Sequence, residues 1–159
     1  MMEKVDVKIK YHVSGMEEIS PAHPGEWVDL RCGEEVFIPE GQYALVSLGV
    51  SMELPEGYEA IVATRSSTFK RHGLIMVNAP AVIDNAYCGD NDIWRFPCYC
   101  LKGHDVAEVN HRGMTGTFLH VNDRICQFRI QKQQPSIRFL RVTRLGNPDR
   151  NGLGSTGRN

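Results

Sequence analysis

The sequence predicts an all-β fold, a distorted jelly roll or β-barrel of short strands with one short helix. Apolar and polar residues alternate in the first β-rich run, which is the period of a half-buried strand. Short β-rich runs recur along the chain, and turn sequences separate them. One segment alone combines a hydroxyl-rich start, a basic end and a glycine stop, the pattern typical of a short helix.

The strand predictions follow in chain order. In residues 5–13 the odd positions hold Val, Ile and Tyr, whereas Asp, Lys and His occupy the even positions. The later β-rich runs cover residues 43–50, 58–64, 74–77, 93–101, 117–121, 124–130 and 136–145. Turn sequences such as Ile-Pro-Glu-Gly at 38–41 lie between them. Many short strands at near-regular spacing are typical of a sandwich, jelly roll or barrel.

The one predicted helix covers residues 64–73. Hydroxyl side chains at Ser66 and Ser67 suit its N-terminal end, and a basic last turn precedes Gly73. Glycine at this point is a common helix stop, because it adopts the left-handed conformation without a steric penalty. We therefore expect a two-turn helix that opens near Ser66 and ends at Gly73.

The chain of 159 residues is predicted to form one domain over residues 1–145. Residues 102–116 carry charged and small side chains without apolar periodicity, which predicts an inserted loop, exposed and either irregular or folded as a hairpin. Residues 146–159 are rich in Gly, Asn, Asp and Arg and cannot bury enough surface to fold alone. This last segment is predicted to be a flexible C-terminal tail.

Charge and hydropathy narrow the classes of partner. The formal net charge of −1 lacks the basic excess that nucleic acid or an anionic membrane attracts. No apolar run reaches the length of a membrane span, and the N-terminus does not read as a signal peptide. We therefore expect a cytoplasmic protein with no nucleic-acid partner and no membrane partner.

The five cysteines are odd in number and contain no Cys-x-x-Cys pair, which disfavours a disulfide framework and a structural zinc site. Cys98 and Cys100 would point to the same face of a strand and could hold a metal. Buried, reduced thiols are the favoured interpretation, because free cysteine behaves as a small apolar residue.

Three side chains between residues 78 and 87 could carry chemistry. Asp84 follows an Ala-Val-Ile run, where an acid could activate water or simply cap a turn. Tyr87, three residues later, could pack on a sugar or be a core ring. Asn78 precedes Ala79-Pro80 and could read a base with its amide or cap a turn. Local sequence leaves each of these alternatives open.

Two segments could bind phosphate. Arg65 and Ser66 lie where the predicted helix opens, and a helix N-terminus with a fixed positive charge attracts anions, although an ordinary N-cap has the same residues. Near the C-terminus, glycines alternate with hydroxyl residues whose amides could wrap a polyphosphate; a frayed terminus is the alternative. The tail residues concerned are Arg150, Gly152, Gly154, Ser155, Thr156 and Gly157.

Taken together, these segments resemble the trimeric dUTP nucleotidohydrolases (dUTPases) over roughly residues 25–157. Five family motifs are matched in order. They are Trp-Val-Asp-Leu at 27–30, Arg-Ser-Ser at 65–67 with Lys-Arg-His-Gly at 70–73, Val-Ile-Asp-Asn-Ala-Tyr-Cys-Gly at 82–89, Asp-Arg-Ile-Cys-Gln at 123–127 and Arg-Asn-Gly-Leu-Gly-Ser-Thr-Gly at 150–157. One such match would be weak, whereas five in the right order are specific.

The resemblance implies hydrolysis of dUTP to dUMP and pyrophosphate with Mg²⁺ on the triphosphate. This reaction limits uracil incorporation into DNA and supplies dUMP for dTMP synthesis. Asp84 matches the carboxylate that activates the attacking water, and Asp29 matches the acid that holds the waters of the metal. Ser66 and Gln127 match positions that contact phosphate, and Ser67 belongs to the same substrate-binding motif. Arg65 would contribute either directly or by supporting the site.

The resemblance also implies how the substrate is selected. A hairpin between Asn78 and Asp84 would read the uracil edge, and Tyr87 would pack on the deoxyribose and exclude a 2′-hydroxyl. The family is a homotrimer of jelly rolls with each active site at a subunit interface. The tail of one protomer would close over a neighbour's site through Arg150, Leu153, Gly154, Ser155 and Thr156.

Departures from the family pattern motivate two alternatives. Leu153 stands where a phenylalanine usually stacks on uracil, and residues 102–116 lengthen the segment between the third and fourth motifs. The related dCTP deaminases share the fold but place a glutamate ten residues past the aspartate, where this chain has Trp94. The second alternative is a phage-type dUTPase that also binds a regulatory protein through residues 102–116.

Overall fold

The computed structural model describes residues 4–107 and 113–149. The described chain is built from strands with one short helix, so the predicted all-β class is confirmed. The elements are β1 (Lys8–Tyr11), β2 (Val28–Arg31), β3 (Val36–Pro39), β4 (Tyr43–Ser47), β5 (Val50–Glu53), β6 (Tyr58–Thr64), α1 (Thr68–His72), β7 (Leu74–Met76), β8 (Ala81–Ile83), β9 (Arg95–Cys100), β10 (Asp105–Ala107), β11 (Met114–Leu119) and β12 (Arg124–Lys132).

Four antiparallel sheets wrap around one core. A four-stranded sheet has the order β2-β12-β6-β8, and two three-stranded sheets have the orders β4-β9-β7 and β10-β11-β3. The fourth sheet pairs β1 with β5. Most neighbours in these sheets are distant in sequence, because sequential strands cross from one sheet to another. This connectivity suits a jelly roll better than a meander of hairpins.

The core lies between the inner faces of the sheets. Trp94 and Phe96 are its largest fully buried side chains. Phe128 of β12 meets Trp94 edge to face, with ring centroids 5.2 Å apart. Such a contact adds about 0.5–1.5 kcal/mol to the burial of the two rings. The core therefore ties the four-stranded sheet to the segment that precedes β9.

The predicted strands 58–64 and 124–130 correspond to β6 and β12, and the predictions for 5–13 and 43–50 need correction. The first strand is shorter, Lys8–Tyr11, and pairs with β5 alone. The second run is divided into β4 and β5 at Gly49, whose φ of 65° lies in the left-handed region. Because strand backbone cannot pass through that conformation, the chain turns there and β5 joins a different sheet.

The predicted helix is real but starts later than expected. It covers Thr68–His72, and Ser67 at its N-cap makes no side-chain capping bond. Instead, the Thr68 hydroxyl accepts the Arg65 backbone N–H at 3.1 Å and donates to the Ile125 carbonyl at 2.8 Å. The predicted stop is confirmed, because Gly73 has φ of 63° and donates its N–H to the Phe69 carbonyl.

The inserted segment 102–116 contains a hairpin. Strands β10 and β11 pair antiparallel, and β11 continues into a ladder with β3. Thr117 and Leu119 of β11 are buried and anchor this sheet to the core. Of the two forms that the sequence left open, the described part adopts the hairpin; residues 108–112 lie outside the described chain.

The predicted strand at 136–145 is wrong for the single chain. Regular structure ends at Lys132, and within the described residues no strand pairs with the segment that follows. Its apolar side chains are exposed: Ile137, Phe139, Leu140, Val142 and Leu145. A strand needs a neighbour to satisfy its backbone, so β propensity alone does not form one. We call residues 134–149 the arm.

Among the described residues, nothing helical has the length and apolarity that crossing a bilayer requires.

Candidate active site

The outer face of the four-stranded sheet carries the first group of predicted site residues. Gln127 of β12 is paired in register with Asp29 of β2 on one side and Ala63 of β6 on the other. Directly opposed residues point to the same face of a sheet, while their neighbours Leu30, Cys126 and Phe128 point into the core. Asp29 and Gln127 therefore lie side by side and half-buried on the outer face.

Arg65 adds a fixed positive charge at the end of this row. Its Nε donates to Asp29 Oδ1 at 2.7 Å, and its Nη1 lies 3.4 Å from Ser67 Oγ. Arg124 approaches the other carboxylate oxygen, with its Nη1 3.4 Å from Asp29 Oδ2. The Gln127 amide donates to the Thr64 carbonyl at 3.0 Å. We call Asp29, Arg65, Ser67, Arg124 and Gln127 the phosphate corner.

The charge of the phosphate corner favours an anion. Two guanidinium groups share one carboxylate, and the Arg124 side chain is 48% exposed, so it retains donors for a ligand. A cleft of about 280 Å³ adjoins the corner and is lined by Asp29, Arg31, Arg124 and residues from 18–22 and 26–28. Ser66, which follows Arg65 in the chain, is exposed. The predicted phosphate residues of the second and fourth motifs are therefore brought together.

Asp84 lies at the surface, immediately after β8, in a turn of residues 84–87 that we call the Asp84 turn. The Ala86 backbone N–H donates to Asp84 Oδ1 at 2.8 Å, and the Tyr87 N–H donates to the Asp84 carbonyl at 3.3 Å. The first bond orients the carboxylate in its own turn. Within the described chain no residue donates to Oδ2, which leaves this oxygen for a water molecule.

Tyr87 is a surface ring and not a core ring. Its side chain is 41% exposed, and its hydroxyl donates to the Ile93 carbonyl at 3.2 Å. The bond fixes the direction of the ring while one face stays accessible. Asn78 is also exposed, in the connection between β7 and β8 that contains the cis Ala79–Pro80 bond. Both side chains are thus available to a ligand.

The expected hairpin between Asn78 and Asp84 is not a β-hairpin. Strand β7 pairs with β9, whereas β8 pairs with β6, so the two flanking strands belong to different sheets. The chain crosses between sheets because Leu74 and Met76 of β7 and Ala81 of β8 each turn into the common core. Asn78 and Asp84 therefore lie at the two ends of β8.

A single protomer does not bring the Asp84 turn to the phosphate corner. Ile83 is paired with Ala60 near the start of β6, whereas Arg65 follows the end of that strand. Five residues of strand at ~3.3 Å each separate the two levels by about 16 Å. The two groups therefore occupy opposite ends of one sheet.

The tail residues Arg150, Leu153, Gly154, Ser155 and Thr156 lie outside the described residues.

Two residues that contact the site were missed from the sequence. Arg124 shares Asp29 with Arg65, and its place in the fourth motif was a usable signal. Gln133 donates from Nε2 to Asn85 Oδ1 at 3.0 Å, next to Asp84. No sequence signal marks Gln133, because the contact arises from the pairing of β12 with β6.

The cysteines take no part in the candidate site. All five are free thiols, of which Cys88 alone is exposed. Burial raises the pKa of Cys32 and of Cys98 to about 12. The described residues contain no group of three or more His, Cys, Asp or Glu side chains that could hold a metal ion. The favoured interpretation of buried, reduced thiols is confirmed for four of the five, and Cys88 is the exception because it is exposed.

Comparison with known proteins identifies the family of this chain. The family model described as dCTP deaminase-like matches residues 6–133. The SPbeta prophage-derived deoxyuridine 5′-triphosphate nucleotidohydrolase YosS of Bacillus subtilis is 47% identical over 153 residues, which cover 96% of this chain and 99% of that protein. The chain belongs to the dUTPase family. A second dUTPase, from Thermobifida fusca, is 36% identical over 139 residues, or 86% of this chain and 70% of that protein.

Solved dUTPase structures share the fold. A point mutant of the dUTPase of Staphylococcus aureus phage phi11 aligns with a TM-score of 0.69 at 15% identity, covering 87% of this chain and 99% of that one. The dUTPase of Staphylococcus bacteriophage 80alpha with dUPNHPP aligns with a TM-score of 0.73 at 16% identity, covering 97% and 99%. The dUTPase-type jelly roll predicted from the motifs is therefore confirmed as the fold.

Proposed function

We propose that this chain hydrolyses dUTP to dUMP and pyrophosphate, with Asp84 activating the attacking water. The observation that carries the proposal is the oriented Asp84 carboxylate on a dUTPase-family sheet that also presents a cationic phosphate corner. The substrate is suggested by relatives that are named deoxyuridine 5′-triphosphate nucleotidohydrolases. In a cell, the reaction would limit uracil incorporation into DNA and provide dUMP for dTMP synthesis.

The turn that contains Asp84, the proposed general base, also orients its carboxylate. With Oδ1 accepting the Ala86 N–H, a water on Oδ2 is held in one direction and can lose its proton as it attacks the α-phosphorus. A base placed in this way contributes a factor of ~10² to 10⁴ in rate. Because Asp84 is exposed before substrate binds, the triphosphate itself completes the enclosure of the water.

The phosphate corner would stabilise the charge that develops on the α-phosphate. Arg65 is held by Asp29 in one orientation, so its guanidinium is preorganised when the anion arrives. Ser66 is exposed at the same point, and Ser67 contacts Arg65. Gln127 projects from the adjacent strand with an amide that now donates to the Thr64 carbonyl. These four side chains are the proposed phosphate contacts.

The donor set suits Mg²⁺ that arrives with the triphosphate. Asp29 is the one carboxylate of the phosphate corner, and both of its oxygens already accept bonds from arginines. Mg²⁺ keeps most of its waters and takes phosphate oxygens, so one carboxylate acting through water is sufficient. When bound, the ion would neutralise phosphate charge, while Asp29 would orient its waters.

Substrate selection is assigned to the two ends of β8. Tyr87 offers an oriented, accessible ring. A deoxyribose would pack against this ring, and the close contact would exclude a 2′-hydroxyl. Asn78 offers an exposed amide for the uracil edge. Donors aimed at a carbonyl O4 would be left unpaired by the amino group of cytosine, which discriminates strongly.

A complete site requires more than one copy, and we propose a homotrimer. The Asp84 turn and the phosphate corner lie about 16 Å apart along β6, at ~3.3 Å per residue, so the corner of one protomer can meet the turn of another. The β4-β9-β7 sheet supports this assembly. Its outer face carries Tyr43, Leu45 and Ile75, exposed by 57%, 48% and 39%, although antiparallel sheets normally turn a polar face outward.

The arm and the tail complete the proposed assembly. The exposed apolar residues of the arm would be covered by a neighbouring protomer, which gives residues 136–145 the strand partner that one chain lacks. Residues 146–159 would then close over a neighbour's site, with Arg150, Leu153, Gly154, Ser155 and Thr156 on the triphosphate and base. Ordering of this tail by substrate is consistent with a lid.

A substrate panel tests the proposal. We expect Mg²⁺-dependent pyrophosphate release from dUTP and little from dCTP, dTTP or UTP. Asp84→Asn should lose ~10² to 10⁴ in kcat, because the amide cannot accept the proton. Asp90→Asn is the matched control: Asp90 is an exposed acid close in sequence, 3.7 Å from Lys10, and its variant should retain wild-type turnover. Equal turnover of UTP and dUTP would contradict the role of Tyr87.

The deaminase alternative is disfavoured by one residue. The family model that matches residues 6–133 is described as dCTP deaminase-like. The resemblance to the dCTP deaminases implies a glutamate ten residues past the aspartate, at position 94. Trp94 is 0% exposed and packs on Phe128, so no titratable group stands there. Ammonia release from dCTP in the same panel would overturn this choice.

A regulatory role through the inserted hairpin is a second candidate. Val106, Met114 and Phe118 are exposed on it by 57%, 46% and 40%. Among the structural neighbours, phage 80alpha dUTPase is described as controlling transfer of virulence genes. The His104 N–H already donates to the Gly116 carbonyl at 2.8 Å, so a Gly-Gly turn can replace residues 105–115. Loss of a protein partner with intact dUTP hydrolysis would support this role, and loss of both would exclude it.

A further inference from the structure

We propose that Gln133 is a positioning residue that holds the Asp84 turn in place through Asn85. This inference rests on the proposed role of Asp84 as the base. The Gln133 Nε2 donates to Asn85 Oδ1 at 3.0 Å, and both side chains are half-buried. The Gln133 backbone is itself fixed, because its N–H donates to the Gly57 carbonyl at 2.8 Å. The amide therefore projects from a hydrogen-bonded backbone position just beyond the end of β12.

Asn85 is well placed to restrain the Asp84 carboxylate. It lies between Asp84 and Ala86, and the Ala86 N–H is the group that orients Asp84 Oδ1. Restraint of Asn85 consequently limits the movement of both partners in that bond. Asp84, Ala86 and Tyr87 are all exposed, so packing contributes little to the order of the turn.

The other side-chain attachment of this turn is at its far end. There the Tyr87 hydroxyl donates to the Ile93 carbonyl at 3.2 Å, and this bond orients the proposed sugar platform. Gln133 holds the end that carries the base, whereas Tyr87 holds the end that carries the ring. Loss of the hydrogen bond between Gln133 and Asn85 should therefore change the rate of the chemical step more than substrate binding.

The expected kinetic effect follows from this division. A misplacement of ~1 Å in a catalytic group can lower the rate about 10²-fold. We expect Gln133→Ala to lower kcat for dUTP between about tenfold and 10²-fold, with KM changed less than about threefold. Gln134→Ala is the matched control, because Gln134 is the adjacent glutamine and is exposed. It should behave as wild type.

A double-mutant cycle of two variants that each replace an amide by a carboxylate separates positioning from general damage. In Gln133→Glu the Asn85 amide can rotate and donate to the new carboxylate, and in Asn85→Asp the native Gln133 still donates. Because each single variant keeps a hydrogen bond between residues 85 and 133, its kcat should stay within about threefold of the wild-type value. The double variant Asn85→Asp/Gln133→Glu places two carboxylates together and should lose at least about tenfold more than the product of the single effects.

The deciding measurement is the cycle in kcat, together with amide hydrogen exchange of Ala86 and Tyr87 and the melting temperature. Non-additive kcat with faster exchange at these amides and an unchanged melting temperature supports positioning. Additive effects, or wild-type exchange in Gln133→Ala, overturn it. If the wild-type protein releases no pyrophosphate from dUTP, the proposed function fails separately, and the exchange data alone still decide whether Gln133 orders the turn.

Discussion

At the scale of single residues, Asp29 shows how one carboxylate organises a cationic site. Its side chain is 30% exposed and accepts from Arg65, which is 21% exposed, at 2.7 Å. Solvent still screens a pair at this depth in part, so its contribution to stability is small. Its main effect is to hold the planar guanidinium in one orientation. Arg124 at 3.4 Å is the looser partner and the one more accessible to a ligand.

A second ion pair gives a prediction about pH. His120 Nδ1 lies 2.6 Å from Glu35 Oε2, and this hydrogen bond raises the pKa of His120 above its ordinary 6.5. The Val121 backbone N–H, and then His120, lower the pKa of Glu35 below 4.5. The histidine contribution to stability is complete below 6.5 and is lost as pH rises through the folded pKa. The glutamate contribution is present above 4.5 and is lost as pH falls through its own folded pKa.

Glu35→Gln tests this pair, because glutamine keeps an oxygen for the Val121 N–H and removes the charge. We expect the pKa of His120, followed by the NMR shift of its ring protons, to fall toward 6.5 in the variant. Asp6→Asn, a change at an exposed acid near the N-terminus, is the control. An unchanged His120 titration in Glu35→Gln would show that the pair does not form in solution.

At the scale of elements, β12 links the two halves of the proposed site. Of its nine residues, Arg124 and Cys126 to Phe128 pair with β2, and Cys126 to Lys132 pair with β6, so three of them have a strand on both sides. Arg124 and Gln127 at its start belong to the phosphate corner, and Gln133 just beyond its end contacts the Asp84 turn. A central strand with two hydrogen-bonded neighbours is among the last parts of a sheet to open. The strand therefore provides a rigid base for residues at both ends.

The short helix α1 depends on its glycine stop. Gly73 has φ of 63°, and a Cβ there would collide with the Lys102 backbone carbonyl. An alanine in the left-handed conformation costs ~1–2 kcal/mol. We expect Gly73→Ala to destabilise the fold by more than this, because the backbone at Lys102 must also move to make room for the Cβ. Gly57→Ala is the matched control, since Gly57 has φ of 79° with nothing within 4 Å of its Cβ.

Chemical denaturation of both variants measures the difference. Gly57→Ala should show the conformational cost alone, about 1–2 kcal/mol, and Gly73→Ala should exceed it. Equal free energies of unfolding would mean that the loop around Lys102 adapts freely to the added methyl group.

At the scale of the whole molecule, one protomer leaves too much apolar surface exposed for an isolated domain. The inner face of the β4-β9-β7 sheet is buried, and its outer face carries the exposed apolar side chains of Tyr43, Leu45 and Ile75. The arm adds further exposed apolar side chains, of which Phe139 is 90% exposed. Both features have the same explanation if copies of the chain cover them.

Leu45→Lys tests self-association through this face. A charge at a buried subunit interface costs its desolvation, so we expect the assembly to shift toward single chains of 17.9 kDa. Light scattering coupled to gel filtration should give three times this mass for the wild type. Val106→Lys is the matched control, because Val106 is 57% exposed on the inserted hairpin and should leave the assembly intact. A single-chain mass for the wild type would exclude the homotrimer.

Features that depend on residues close together in the chain could be predicted without coordinates. The β-rich run at 58–64 is strand β6 to the residue, and the helix stop at Gly73 was predictable because glycine alone tolerates a positive φ there without a side chain to clash. The five motifs identified the dUTPase family, since the order of short segments is a property of the chain and needs no coordinates.

Features that depend on contacts between residues far apart in the chain emerge in the folded molecule alone. The helix begins at Thr68 because its hydroxyl reaches Ile125, which is far away in sequence. Residues 136–145 are not a strand because no strand of the described chain pairs with them, despite their β propensity. The Asp84 turn and the phosphate corner lie at opposite ends of β6 because ladder register, which follows from burial of alternate residues in a common core, sets their positions. Local sequence does not reveal that register, so it predicts candidate site residues but not the distance between them.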